Sequence, residues 1–170
     1  MKSKETDSEF CIIKEASFYL SGKALGELVR ATLSKEASFR ASVKGFSMSP
    51  FIKDGDIVTV SALPDYQIYF GRAVAFIHPE TDKLVIHRII GKKGNFYFIK
   101  GDKIQNVDGS IPRENILGVV TKVERKGEKT NLGLGIERFL IAFLSKRGLL
   151  SYVLWRLGTV NPFLKKRFAL

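Results

Sequence analysis

Cysteine and histidine are scarce in this chain. Cys11 is the only cysteine, which excludes an internal disulfide and leaves no zinc cluster. His78 and His87 are the only histidines, so any imidazole chemistry has to run through one of them. Acid is also short: 17 Asp and Glu against 28 Lys and Arg leave a net charge of +11. That balance favours anionic partners, either nucleic acid or a negatively charged membrane surface. Long apolar runs are missing as well. The best candidate, 139–157, is interrupted by Lys146, Arg147 and Gly148, whereas a membrane span needs about 20 mostly apolar residues. The amino terminus carries acids ahead of a short apolar stretch broken by Lys14 and Glu15, a poor signal peptide. The expected location is therefore cytoplasmic, or peripheral on the cytoplasmic membrane. Internal repeats and low-complexity tracts are absent from the sequence.

What is present reads as three parts. Residues 1–40 form an amino-terminal extension in which "FCIIKE" suggests a short strand. There, "GKALGELVRATLSKE" spaces Leu25, Leu28, Val29 and Leu33 for a helix. Between 41 and 127 the texture is short apolar or alternating runs cut by Gly, Pro, Asp and Asn, which predicts antiparallel, mainly β architecture. Residues 128–170 are basic, hydrophobic and helical in pattern, ending in the tail "NPFLKKRFAL".

Within the β region, "GFSMSPFIKDGDIVTV" sets Ser47 on a short turn before an alternating strand. A serine nucleophile needs a base within hydrogen-bond reach and, usually, a third group that orients the base. His87, in the apolar run "KLVIHRIIG", is costly to bury unless it faces a cleft or has a partner. Asp102 and Asp108, in "IKGDKIQNVDG", are the carboxylates that could hold its ring. Bland readings exist for each. Ser47 alone would pass for a turn serine, Ser49 is a spare hydroxyl, and His78 sits in a hairpin loop beside Pro79 and Glu80. Asp56 and Arg88 read as ties between strands.

Together these boxes resemble the type I signal peptidases and LexA-type repressor proteases. "GFSMSP" is similar to their Ser-Met-x-Pro box and "GDIVTV" to the strand that follows it. "GRAVAFIHP", "VIHRII", "IKGDKIQNVDG" and "ILGVV" then come in family order from about 42 to 123. The resemblance implies a LexA/signal-peptidase-like antiparallel β fold, here with a short amino-terminal helix and a basic hydrophobic helical carboxy-terminal extension. A histidine at the base position is the mark of the endoplasmic-reticulum, archaeal and sporulating-bacterial signal peptidases, whereas other branches use lysine. By resemblance, Ser47 is the nucleophile, His87 the base and Asp108 its orienting group. Asp102 braces the loop, although the two aspartates could exchange roles. Gly45, Phe46, Met48 and Pro50 would line the oxyanion and substrate side. Gly45 stands where the family often has a serine, so the oxyanion hole would rest on backbone N–H groups, including that of Ser47. The family's amino-terminal membrane anchor is not found.

The function expected is a serine endopeptidase that cleaves an extended leader or signal-like peptide, with no metal or other cofactor. The alternatives are an inactive peptide-binding or assembly module of the same fold and a self-cleaving regulator. The last is opposed by the lack of an Ala-Gly or Cys-Gly bond. For the carboxy-terminal region the choices are a helical hairpin packed on the β domain and a helix lying in an anionic membrane surface. Nucleic acid is disfavoured because the apolar content exceeds what a groove-reading helix needs.

Overall fold

The computed structural model describes residues 11–12, 22–62 and 64–160, with side chains from 24 to 156. The tail from 161 onward and most of the "FCIIKE" segment lie outside the described residues. The strands are β1 (Cys11–Ile12), β2 (Phe39–Ser42), β3 (Ile57–Ser61), β4 (Ala73–Ile77) and β5 (Leu84–Lys93), followed by β6 (Phe96–Lys100), β7 (Ser110–Pro112), β8 (Ile116–Arg125) and β9 (Glu128–Thr130). Helix α1 (Gly22–Ser34) precedes the main sheet; α2 (Arg138–Lys146) and α3 (Leu150–Val160) follow it.

All the strands join one curled sheet in the order β1-β2-β3-β8-β4-β5-β6-β7, with β9 beside β8. Every pairing is antiparallel except β1 with β2. The fold is mainly β, with a short amino-terminal helix and carboxy-terminal helices. Both faces of the sheet are covered along β4. Along β4, Ala73 and Ala75 point into one core with Val29, Leu33, Val58 and Val120. Val74 and Phe76 point into a second core with Ile89, Tyr97, Ile99 and Val119. Alternation along a strand sends neighbours to opposite faces, so a strand apolar at every position is one buried on both sides.

The helix expected from Leu25, Leu28, Val29 and Leu33 forms as α1. Its Val29 and Leu33 are buried, whereas Leu28 stays half in solvent. The apolar carboxy-terminal run folds as two helices, because Gly148, at φ +71, turns the chain left-handed and Leu149 N–H returns to the Leu144 carbonyl. The inner sides of α2 and α3 bury Ile141, Leu150 and Leu154 against Phe51, which follows the Ser47 turn. Among the described residues no helix is long and apolar enough to cross a membrane.

Candidate active site

The Ser47 turn is built by anchoring one of its sides and leaving the other open. Val43 N–H donates to the Asp56 carbonyl (2.8 Å), and Gly55 N–H to the Val43 carbonyl (2.9 Å), closing a loop around the turn. Gly45 takes φ +100 with open space where a Cβ would be, a backbone state that strains any other residue. Behind it Met48, Ser49, Pro50, Phe51 and Ile52 are buried, and Ile52 N–H bonds back to the Met48 carbonyl (3.1 Å). Phe46 stays 64% exposed and Ser47 half-buried. An inward anchor of Met48 and Ile52 thus holds an outward hydroxyl.

His87 sits buried in β5, opposite Val74 of β4. Its Nδ1 lies 2.6 Å from Asp108 Oδ2, and the Asp108 N–H is fixed to the Ile99 carbonyl (2.9 Å). The other nitrogen, Nε2, faces the 101–103 loop. A Cβ placed on Gly101 would stand 2.9 Å from the Ser47 carbonyl oxygen and 3.0 Å from His87 Nε2. Those two atoms can therefore be no farther apart than the two contacts laid end to end. Lys103 N–H donates to the Ser47 carbonyl (2.8 Å), clamping the loop on the turn. Among the described residues the Ser47 hydroxyl makes no hydrogen bond, and its backbone N–H has no acceptor.

Asp102 belongs to a different network. Arg88 Nε and Nη2 donate to its two oxygens at 2.8 and 2.7 Å, and neither side chain has any exposed surface. Arg88 Nη1 donates to the carbonyls of Gly71 (2.8 Å) and Gly133 (2.9 Å), so the guanidinium joins the β4 approach, the Asp102 loop and the segment before α2. Of the two candidate carboxylates, then, Asp108 faces His87 and Asp102 braces Arg88. Asp56, also buried, pairs with Arg125 across the sheet (2.7 Å). His78 lies half-buried in the β4–β5 connection, its N–H on the Lys83 carbonyl (2.9 Å). Lys100, opposite Arg88 in β6, reaches the Ser145 carbonyl of α2 (2.7 Å), and burial holds its ammonium below the usual lysine range.

The substrate side differs from expectation in two details. Gly45 N–H is taken by Asp54 Oδ1 (2.7 Å), so it is not a free donor for an oxyanion. Met48 and Pro50 are buried; Met48 forms part of the groove floor and Pro50 lies behind it. The groove itself, about 350 Å³, runs from Leu25 and Ala41 past Val43 and Gly45 to Ser47, with Leu84 and Ile86 on its other wall. Both walls are strand edges. β6 pairs with β5 only from Arg88 onward, and β1 pairs with β2 only at Phe39 and Arg40. Among the described residues the facing edges at 41–42 and 84–87 are open. Sequence reasoning missed Asp54 and the Gly101–Lys103 clamp; the "KDGD" and "KGDK" turns were their only trace. Among the described residues no three His, Cys, Asp or Glu side chains converge as metal ligands.

No curated protein matches the chain. The family described as Peptidase S24-like matches residues 15–121, which take in the Ser47 turn, the His87 strand, both aspartates and β8 up to Thr121. With a match over more than half its length and a curled antiparallel sheet under it, this chain belongs to the Peptidase S24-like family, within the clan of LexA-type and signal-peptidase serine proteases.

Proposed function

We propose that the protein is a serine endopeptidase of the histidine-base branch, cutting an extended leader or signal-like peptide with Ser47, His87 and Asp108. One observation carries the reading. His87 is held by Asp108 through Nδ1, while its Nε2 is turned to the loop clamped on the Ser47 carbonyl. A carboxylate on Nδ1 fixes the proton there and leaves Nε2 as the acceptor.

The substrate strand lies in the groove between the open edges at 41–42 and 84–87, taking main-chain bonds from both. As the scissile carbonyl reaches Ser47, the hydroxyl rotates toward His87. Catalytic contacts often tighten only when substrate is bound. Oγ attacks the carbonyl carbon as Nε2 takes its proton, and the carbonyl π pair moves onto oxygen. The unused Ser47 N–H donates to that oxyanion. Collapse breaks the C–N bond, and the imidazolium returns its proton to the leaving amine. Water then repeats the sequence on the acyl-enzyme, its proton passing through His87, and frees the carboxyl product and Ser47.

A fluorophosphonate probe tests this. The intact chain should be labelled, and Ser47→Ala and His87→Ala should each abolish labelling while circular dichroism stays unchanged. Equal labelling of Ser47→Ala would refute the assignment. Failure of the intact chain to label would favour a non-catalytic peptide-docking module, the reading that the unengaged Ser47 hydroxyl supports.

A further inference from the structure

The outer face of the carboxy-terminal helices is not that of a solvated helix. Along α2 and its C-cap, Arg147, the exposed residues Phe139, Leu140, Phe143, Lys146 and Arg147 recur every third or fourth position, so they share one face. In α3 the exposed Tyr152 and Trp155 do the same, their rings 6.4 Å apart. Half of the exposed large apolar side chains among the described residues fall within 136–155. Leu140 is 60% and Trp155 56% exposed. Exposed apolar side chains concentrated in this way mark an interaction surface.

Charge selects the partner. Between 131 and 170 Glu137 is the only acid, and its carboxylate is turned back onto the N–H groups of Gly133 and Gly135. The face thus offers aromatic and aliphatic side chains with Lys146 and Arg147 among them and no opposing carboxylate. A second copy of this surface would bring those cations against their own kind. An anionic bilayer answers both features: apolar side chains enter the acyl boundary while the cations stay at the phosphates.

We infer that the outer face of α2 and α3 docks the protein on an anionic phospholipid membrane. The docking is rigidly coupled to the peptidase cleft. Lys100 of β6 bonds to α2, and Phe51, four residues beyond Ser47, packs against Ile141, Leu150 and Leu154. A bilayer bound at the helices therefore holds the Ser47 turn at a fixed orientation to its surface.

Trp155 is the only tryptophan, so its emission reports on the face directly. The intact chain, mixed with vesicles of phosphatidylcholine containing phosphatidylglycerol, should co-sediment and shift its emission to the blue, and added salt should reverse both. Pure phosphatidylcholine should do neither. Lys146→Gln with Arg147→Gln should weaken partitioning about twenty-fivefold, at roughly fivefold per surface cation. Leu140→Ser with Phe143→Ser, both exposed, should remove the blue shift without lowering stability. Ser47→Ala should bind vesicles like the unaltered chain, which separates this inference from the proposed hydrolysis. No vesicle binding at low salt, equal binding to neutral vesicles, or unchanged partitioning of the double glutamine variant would each overturn it. So would a stable dimer in light scattering that buries Trp155.

Discussion

Replacing Asp102 and Asp108, one at a time, by asparagine should produce opposite failures, although the two lie in the same loop. Asp108 has one bond to defend, the 2.6 Å contact with His87 Nδ1, and its side chain is partly exposed. Asparagine keeps the size and a weaker hydrogen bond, so the folding loss should stay below about 1.5 kcal/mol, the lower end for a bond to a charged group. Its amide can also donate to Nδ1, which places the ring proton on Nε2 and leaves no acceptor for the Ser47 hydroxyl. An orienting carboxylate of this kind is worth about 10⁴-fold in turnover, or roughly 5 kcal/mol of barrier.

Asp102 stands differently. Both its oxygens are taken by Arg88, and the pair has no exposed surface. Asparagine leaves a buried guanidinium without its counter-charge, at about 3–5 kcal/mol, a large share of a typical domain's stability. Turnover per folded molecule, however, should change little at low temperature. The assay is paired: urea unfolding for each variant, which gives the midpoint and the folded fraction, and probe-labelling rates divided by that folded fraction. If Asp108→Asn labels at the unaltered rate, the orienting role fails. If Asp102→Asn keeps its midpoint but loses labelling per folded molecule, the assignment of the two carboxylates is reversed.

Gly101→Ala should act on the same chemistry from the loop side. A methyl 2.9 Å from the Ser47 carbonyl and 3.0 Å from His87 Nε2 forces the loop away, and a displacement near 1 Å costs about a hundredfold in labelling rate. Unchanged kinetics would show the clamp to be irrelevant. Phe51→Ala should lower stability by about 3–5 kcal/mol in urea unfolding, because Phe51 fills the space between the Ser47 turn and both carboxy-terminal helices. A smaller effect would mean the helices hold by other contacts. Glu124 is bonded to Lys122 and Arg40, and the Lys122 hydrogen bond, aided by the Arg40 charge, holds its carboxyl below the usual glutamate range. A lowered value gives stabilisation that is complete above that range and lost as pH falls through the folded value. The stability gap between the unaltered chain and Glu124→Gln should therefore close on acidification, and a gap that widened would contradict the linkage.

The chain announces some of this and hides the rest for physical reasons. Strands β3, β4, β5, β6 and β8 are legible because each supplies apolar residues in a short run bounded by turn residues. β7 and β9 span only three residues each, too short to carry a period, and exist through the partners that β6 and β8 offer them. Ser47 and His87 stand out as polar residues at positions that local structure alone does not require. The choice between Asp102 and Asp108 is not in the linear spacing. It is made by register: Arg88 pairs with Lys100, so the chain two residues later lies beside Arg88, whereas Asp108 is brought to His87 when its N–H hooks back to Ile99. A pattern along one strand cannot show which of two neighbours on the next loop will be captured.

That register ties the buried ion pair to the candidate chemistry. His87 and Arg88 are adjacent, and adjacent residues of a strand point to opposite faces. A slip of one position between β4 and β5 would exchange them, sending the guanidinium toward Asp108 and the imidazole toward Asp102. Apolarity alone does not forbid this, since β4 is apolar on both faces, with Ala73 and Ala75 on one and Val74 and Phe76 on the other, and only their difference in size opposes the exchange. Arg88 resists it strongly. Only in the observed register do its donors meet two Asp102 oxygens and the carbonyls of Gly71 and Gly133 together. A buried ion pair adds little net stability over an apolar replacement, but misplacing one partner leaves a charge uncompensated, so its energy falls on the wrong arrangements more than on the right one. Arg88 and Asp102 thus bear on the proposed cleavage without touching a substrate: by excluding the slipped sheet, they keep the His87 ring between Asp108 and the Ser47 turn.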